Sequence, residues 1–178
     1  MRCQARQRQQ MCTLEVAQRI VEFLGLAHVD DLDPIAFGQV FEQHGRLDIL
    51  NNNAGITVDR IVAKMSDDDW NKVISVNLSG AFYLSQAALA HMLERGTGRI
   101  VMVSSLIGEL GGIGQANYAA SKSGLFGLTR TLAREAEFQL ARAGQFVDTP
   151  MGTTVNRITP GYVRTEMILA PRTQIGAG

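Results

Sequence analysis

The sequence contains few cysteines, no excess of either charge and no long apolar run, and each of these absences excludes a class of protein. Its two cysteines, Cys3 and Cys12, are too few for a disulfide framework, so we expect free thiols in the cytoplasm. A formal net charge of zero gives no reason to expect nucleic acid or an anionic membrane as a partner. Gly, Ser or charged residues interrupt every apolar stretch well before membrane-spanning length, so we expect no transmembrane helix.

The 178 residues are enough for one domain with a sizeable core. Residues 1–12 are rich in Arg and Gln and contain no acidic side chain. A transit peptide is one interpretation of this stretch, but it has no Ser and little amphipathic pattern, and we favour a disordered or mis-started tail. The domain is therefore expected to cover residues 13–178.

Patterns typical of helices and strands alternate along the expected domain. The spacing of apolar residues predicts helices near 14–24, 34–45, 66–89 and 115–143. Short apolar runs predict four strands, at 26–29, 47–50, 99–104 and 154–159. This alternation indicates an α/β domain with a parallel sheet, although a complete doubly wound sheet has about six strands. In the third helix, Ser66 followed by Asp69 predicts a capping box at the start.

Polar and turn-forming residues follow three of the predicted strands. The segment Asn51-Asn52-Asn53-Ala54-Gly55 follows the second strand, Ser104-Ser105 ends the third, and Pro160-Gly161 follows the fourth. In an open parallel sheet, ligands bind beyond the carboxyl ends of the strands. We therefore expect a ligand site at this edge of the sheet.

Tyr118 and Lys122 are four residues apart on the last predicted helix, so both side chains lie on one face. A free tyrosine has a pKa of about 10, and a nearby ammonium favours the phenolate and brings proton transfer toward neutral pH. The pair is therefore suited to catalytic proton transfer. Taken alone, however, a Tyr and a Lys at this spacing are more often a solvated surface pair. A serine in the position of Ser105 is more often a strand-end cap, and an asparagine in the position of Asn77 is more often a polar neighbour of the core.

Together these residues resemble the short-chain dehydrogenase/reductase family over roughly residues 25–168. Asn52-Asn53-Ala54-Gly55 is similar to the family's Asn-Asn-Ala-Gly motif, and Tyr118-Ala-Ala-Ser-Lys122 to its Tyr-x-x-x-Lys signature. Asn77 and Ser105 stand where the family has its helix asparagine and catalytic serine. The segment from Pro160 to Thr165 resembles the family's Pro-Gly segment.

The resemblance implies a role for each matching residue. Tyr118 would give a proton to a substrate carbonyl that Ser105 orients, while Lys122 would hold the nicotinamide ribose and favour ionisation of the tyrosine. Asn77 would kink its helix and hold a water linked to Lys122. The cofactor would lie against Tyr118 and Lys122 and against Asn53, Ala54, Gly55, Pro160, Gly161, Val163 and Thr165.

The fold implied by the resemblance is a partial Rossmann-like, doubly wound parallel sheet flanked by helices. The family's first strand and its Thr-Gly-x-x-x-Gly-x-Gly turn have no counterpart before Asn51. The family's substrate-covering helices and last strand have none after Thr165. We therefore expect a chain that is truncated at both ends.

The implied activity is NAD(P)H-dependent reduction of a carbonyl to an alcohol, without a metal ion. Within the family the segments resemble 3-oxoacyl-acyl-carrier-protein reductases and acetoacetyl-CoA reductases. This implies a 3-oxoacyl thioester of acyl carrier protein or CoA as substrate, in fatty acid or polyhydroxyalkanoate metabolism. It also implies NADPH as cofactor, with NADH as the alternative, and a homo-oligomer if the protein is complete. The competing hypothesis is a catalytically silent fragment that binds no cofactor and acts at most as an association module.

Overall fold

The computed structural model describes residues 45–144 and 152–162. The predicted strand at 26–29, the helices predicted before Gly45 and the tail at 1–12 lie outside these residues. Val163 and Thr165 lie outside them as well. The division of the chain into a tail and one domain therefore stays a prediction.

Three parallel strands form the described sheet, in the order β1 (Ile49–Asn52), β2 (Gly98–Val103) and β3 (Thr153–Ile158). Their carboxyl ends lie at one edge of the sheet, as predicted. The boundaries of β1 differ from the prediction by two residues. Asn51 and Asn52 pair with residues of β2, so they belong to the strand and not to the turn after it.

The core lies between one face of the sheet and two long helices, α2 (Gly80–Glu94) and α4 (Ala116–Arg142). Its buried side chains come from all of these elements: Leu50, Ala81, Ala88, Leu89, Met92, Ile100, Met102, Leu125, Leu132, Ala136 and Val155. This arrangement is a partial Rossmann-like fold, as predicted. Both long helices pack on the same face, so the second helical layer of a doubly wound sheet is not among the described residues.

The helix predicted from Ser66 is confirmed but is not uniform. Ser66 Oγ accepts the Asp69 N–H at 3.1 Å and an Asp69 carboxylate oxygen accepts the Ser66 N–H at 3.2 Å, which is the predicted capping box. After α1 (Asp67–Ile74) the chain makes a π-turn (Ser75–Ser79) and continues as α2. Turns of this kind are frequent at functional sites, and this one contains Asn77.

The continuous helical stretch Asp67–Glu94 is 28 residues long and apolar enough, by length and composition, to cross a membrane. Several of its apolar side chains, among them Ala88, Leu89 and Met92, are buried in the core. Gly98 of β2 makes this contact close, because a Cβ at that position would lie 2.2 Å from Met92. Packing against the sheet therefore accounts for part of the apolar composition of the helix, while Phe82 and Tyr83 on the same helix are exposed.

Candidate active site

Lys122 is the central charged group of the site and is almost completely buried, with 4% of its surface exposed. Its ammonium donates a hydrogen bond to the Val103 carbonyl at the end of β2, over 2.8 Å. Within residues 45–144 and 152–162, no carboxylate forms an ion pair with it. Burial disfavours the charged form and lowers the pKa of Lys122 from 10.5 to about 8. A solvated surface pair, the alternative reading of Tyr118 and Lys122, is therefore wrong for the lysine.

Tyr118 lies on the same face of α4, where its ring centroid is 5.8 Å from the Lys122 ammonium. The start of α4 is held by Asn117, which is completely buried. Asn117 donates to the carbonyl oxygens of Val58 and Asp69 at 3.1 and 3.0 Å, and its own amide oxygen accepts the Tyr118 N–H at 2.7 Å. Two bonds to other backbone segments and one bond within the helix start therefore hold the helix end that carries the tyrosine.

Asn77 is buried and its side chain is bonded to the backbone that follows the Asn-Asn-Ala-Gly motif. Asn77 Oδ1 accepts the Ile56 N–H at 2.8 Å, and Nδ2 donates to the Ile56 carbonyl at 3.0 Å. Nδ2 also donates to Ser121 Oγ at 3.1 Å, and that hydroxyl donates to the Tyr118 carbonyl at 2.8 Å. The π-turn thus connects the loop after β1 to α4 between Tyr118 and Lys122.

The loop after β1 approaches Lys122 at a glycine. A Cβ on Gly55 would lie 3.2 Å from the Lys122 ammonium nitrogen and 3.5 Å from Asn77 Oδ1. Asn53 is exposed and Ala54 is half-buried beside this contact. Further along the same loop, the Arg60 N–H donates to the Gly114 carbonyl at 2.7 Å. The backbone of the motif is therefore held close to the lysine, with no side chain between them.

Ser105 follows the end of β2, and its hydroxyl oxygen accepts the Ile107 N–H at 3.2 Å. This bond closes a local turn just before the short helix α3 (Ile107–Leu110), whose N-cap residue is Leu106. A hydroxyl has one donor and two acceptor sites, so this bond leaves its hydrogen for a second partner. This local bond does not prevent Ser105 from donating a hydrogen bond to a ligand.

Pro160 and Gly161 follow β3 beside the serine loop. The Leu106 N–H donates to the Pro160 carbonyl at 3.1 Å, and the Ser104 N–H donates to the Ile158 carbonyl at 2.9 Å. Gly161 is exposed, with no atom within 4 Å of the position a Cβ would take. The ends of β2 and β3 are therefore held together, which leaves the Pro-Gly segment at the same edge as Ser105.

The short chain dehydrogenase family matches residues 27–175 of the chain. The chain belongs to this family. It is similar to the 3-oxoacyl-acyl-carrier-protein reductase FabG of Salmonella typhimurium and to that of Escherichia coli, with 39% identity over 162 residues in both cases. These alignments cover 86% of this chain and 62% of each relative.

The acetoacetyl-CoA reductase of Cupriavidus necator is also 39% identical, over 145 residues that cover 82% of this chain and 54% of the relative. The predicted resemblance to the short-chain dehydrogenase family and to these two groups of reductases is confirmed. The chain spans less than two thirds of the length of the curated relatives it matches.

The family motifs did not reveal three residues that hold the site together: Ser104, Asn117 and Ser121. Each lies beside a motif residue and could have been noticed as a polar side chain next to an apolar strand or on the inner face of α4. Their long-range partners are distant in sequence, however: Asn117 bonds to a carbonyl 59 residues away. Sequence spacing does not predict such bonds, because they depend on how the elements pack.

Proposed function

We propose that this short-chain dehydrogenase carries the catalytic groups of an NAD(P)H-dependent reductase that converts a carbonyl to an alcohol. The observation that supports this most directly is the position of Lys122. It is a buried ammonium beside the ring of Tyr118 and against the backbone of Gly55. A charged group buried without a carboxylate partner is costly, which favours a functional reason for its presence.

The residues fit the ribose and nicotinamide of a dinucleotide. An ammonium has three N–H donors, and the bond to the Val103 carbonyl uses one of them. Among the residues that the structure describes, no other acceptor bonds to the ammonium, which leaves two donors for ribose hydroxyls next to the open backbone at Gly55. In this proposal Asn53, Ala54, Gly55, Pro160, Gly161, Val163 and Thr165 complete the cofactor site.

When bound, the reduced nicotinamide supplies the hydride that adds to the carbonyl carbon. Ser105 donates its hydroxyl hydrogen to the carbonyl oxygen and orients the substrate. Tyr118 transfers its phenolic proton to that oxygen as the C=O double bond becomes a C–O single bond, which completes the alcohol. The Lys122 ammonium stabilises the phenolate that remains until a proton from solvent restores it.

Asn77 is assigned a positioning part in this reaction. Its amide holds the Ile56 backbone and Ser121 through the three bonds described above, and in the proposal the π-turn also leaves space for a water near Lys122. The proposed catalytic site therefore consists of Ser105, Tyr118 and Lys122 as the reacting and binding groups and of Asn77 as the residue that positions them.

For the substrate we propose a 3-oxoacyl thioester, carried by acyl carrier protein or CoA. Relatives with these substrates in their names support this class. Apolar side chains around the site also suit an acyl chain: Leu110 and Ile113 are 75% and 77% exposed between Ser105 and Tyr118, and Tyr162 is 76% exposed after the Pro-Gly segment. We further propose NADPH as the preferred cofactor over NADH, a cytoplasmic location and a homo-oligomeric state.

The first test is titration of the purified chain with NADPH and with NADH, following Trp70 fluorescence and the melting temperature. Trp70 is the only tryptophan and adjoins Asp69, which bonds to Asn117. Saturable binding that raises the melting temperature is the expected result. A folded chain that responds to neither nucleotide would reject the proposal in favour of a catalytically silent fragment.

The second test is an assay of acetoacetyl-CoA reduction, in which the decrease in NADPH absorbance gives the rate. Tyr118→Phe removes the proton donor and is expected to lower the rate at least about a hundredfold, the usual size of a general-acid contribution. Tyr83→Phe is the matched control, because Tyr83 is exposed on α2 and packs edge-on against Phe82. Equal rates in the two variants would show that Tyr118 is not the proton donor.

A further inference from the structure

Two hydrogen bonds join Lys122 to consecutive residues at the end of β2. The Lys122 ammonium donates to the Val103 carbonyl at 2.8 Å, and the Ser104 hydroxyl donates to the Lys122 backbone carbonyl, also at 2.8 Å. Ser104 and Lys122 are each 4% exposed. The lysine is therefore tied to the strand at both ends, by its backbone and by its charged tip.

The bond from Ser104 is not needed to satisfy the backbone of α4. Within a helix, the carbonyl of residue 122 already accepts the N–H four residues later. The Ser104 hydroxyl uses the second lone pair of that oxygen, which water or nothing occupies in most helices. A buried bond that adds a second donor to a satisfied carbonyl acts as a tether between two elements.

The neighbouring contacts allow little freedom around this tether. A Cβ on Gly108 of α3 would lie 2.9 Å from the Lys122 carbonyl carbon, so α3 and α4 are in backbone contact there. The Ser123 hydroxyl also donates to the Gly108 carbonyl. Because Ser105 directly follows Ser104, the position of Lys122 relative to Ser105 depends on this junction.

We propose that Ser104 is a positioning residue, whose hydroxyl fixes the backbone of Lys122 against β2 and thereby keeps the lysine ammonium buried at the Val103 carbonyl. The residue touches neither substrate nor cofactor. The consequence for cofactor binding rests on the proposed function, but the placement of the ammonium does not.

NMR of the lysine side chains tests the position of the Lys122 ammonium and does not require that the chain be catalytically active. The chain has three lysines, Lys64, Lys72 and Lys122, so lysine labelled with carbon-13 at the ε position gives three signals. Lys122→Met identifies the third, and the midpoint of its pH titration is expected near 8. In Ser104→Ala the ammonium gains access to water, and the midpoint should rise by at least about half a pH unit toward its ordinary value.

Thr129→Val is the matched control for this substitution. The Thr129 hydroxyl is buried and donates to the Leu125 carbonyl on the same helix, but it lies two turns away from Lys122. Its removal should leave the Lys122 titration unchanged. A midpoint that stays at the parental value in folded Ser104→Ala, or that moves equally in Thr129→Val, overturns the proposal.

Ser104→Cys keeps the test decisive if the alanine variant does not fold. A thiol has similar shape and donates weakly, so a smaller rise of the midpoint is expected, and no rise contradicts the tether. NADPH binding is the second readout, with the dissociation constant expected to increase about tenfold in Ser104→Ala and not in Thr129→Val. If the parent chain binds no nucleotide, the proposed function fails, while the lysine titration still decides the role of Ser104.

Discussion

The side-chain amide of Asn77 and the hydroxyl of Ser121 form a hydrogen bond of 3.1 Å that connects the π-turn to α4 between Tyr118 and Lys122. The same amide bonds in both directions to the Ile56 backbone. One buried side chain therefore aligns the loop that passes Lys122 with the helix that carries it. This arrangement makes the geometry of the site dependent on groups that need not contact a ligand.

Asn77→Ala should lower the free energy of unfolding by about 2–4 kcal/mol, because the partly buried Ile56 N–H and carbonyl lose their partners. Urea denaturation measures this difference. Asn71→Ala is the control, since Asn71 is exposed on α1 and a change of less than about 0.5 kcal/mol is expected there. Similar losses in both variants would contradict a role for the Asn77 bonds.

The buried lysine should make stability depend on pH in a defined window. The folded pKa of Lys122 is about 8 and the ordinary value is 10.5, so between these values the unfolded chain holds the lysine proton more tightly. The contribution of Lys122 to the free energy of unfolding is therefore fully present above about pH 10.5, and it is lost as the pH falls through 8. Across this pH window the free energy of unfolding changes by roughly 3 kcal/mol because of Lys122.

Lys122→Met isolates that contribution. The difference in free energy of unfolding between the parent and this variant should shift in favour of the parent as the pH rises from 7.5 to 10. Lys72→Met, at an exposed position of α1, controls for the loss of a lysine charge. A difference between parent and Lys122→Met that is constant across this range would show that the ammonium is not desolvated.

Gly55→Ala should weaken nucleotide binding about tenfold, because its Cβ would press on the Lys122 ammonium at 3.2 Å and displace it. Gly127→Ala provides the contrast. Gly127 is an exposed residue of α4 with no atom within 4 Å of the new Cβ, so this change should stabilise the protein by about 0.5–1 kcal/mol without affecting binding. If Gly55→Ala binds the nucleotide as tightly as the parent does, Gly55 is not part of the cofactor site.

Ser66→Ala should destabilise the protein by about 1 kcal/mol, since it removes the hydroxyl that accepts the Asp69 N–H. Thermal unfolding gives the difference. Asp68→Ala, which removes an exposed acidic side chain from the same first turn, should cost less, about 0.3–0.5 kcal/mol from the helix dipole. The reverse order would mean that charge and not capping sets the stability of this helix start.

Local sequence predicted much of this fold because the signals are local. The capping box at Ser66 needs only residues three apart, and the helix predicted from 115 to 143 is observed as Ala116–Arg142. The resemblance implied a kink at Asn77, but apolar spacing continues through the π-turn at Ser75–Ser79, and the bond from Asn77 to Ile56 joins residues 21 apart. The end of β1 was placed two residues early, because asparagine is usually a turn residue and the pairing of Asn51 with Val101 is a tertiary contact.

The sequence by itself determined the family, the order of the strands and helices, and the identity of the candidate catalytic residues, because motif spacing and periodicity are properties of the chain. Only the tertiary structure decided which groups hold those residues in place. The burial of Lys122, its bonds to Val103 and Ser104 and the contacts of Asn117 depend on how β2, α3, α4 and the loop after β1 pack. The desolvation that lowers the lysine pKa follows from the same packing, since it depends on the groups that surround the ammonium in space.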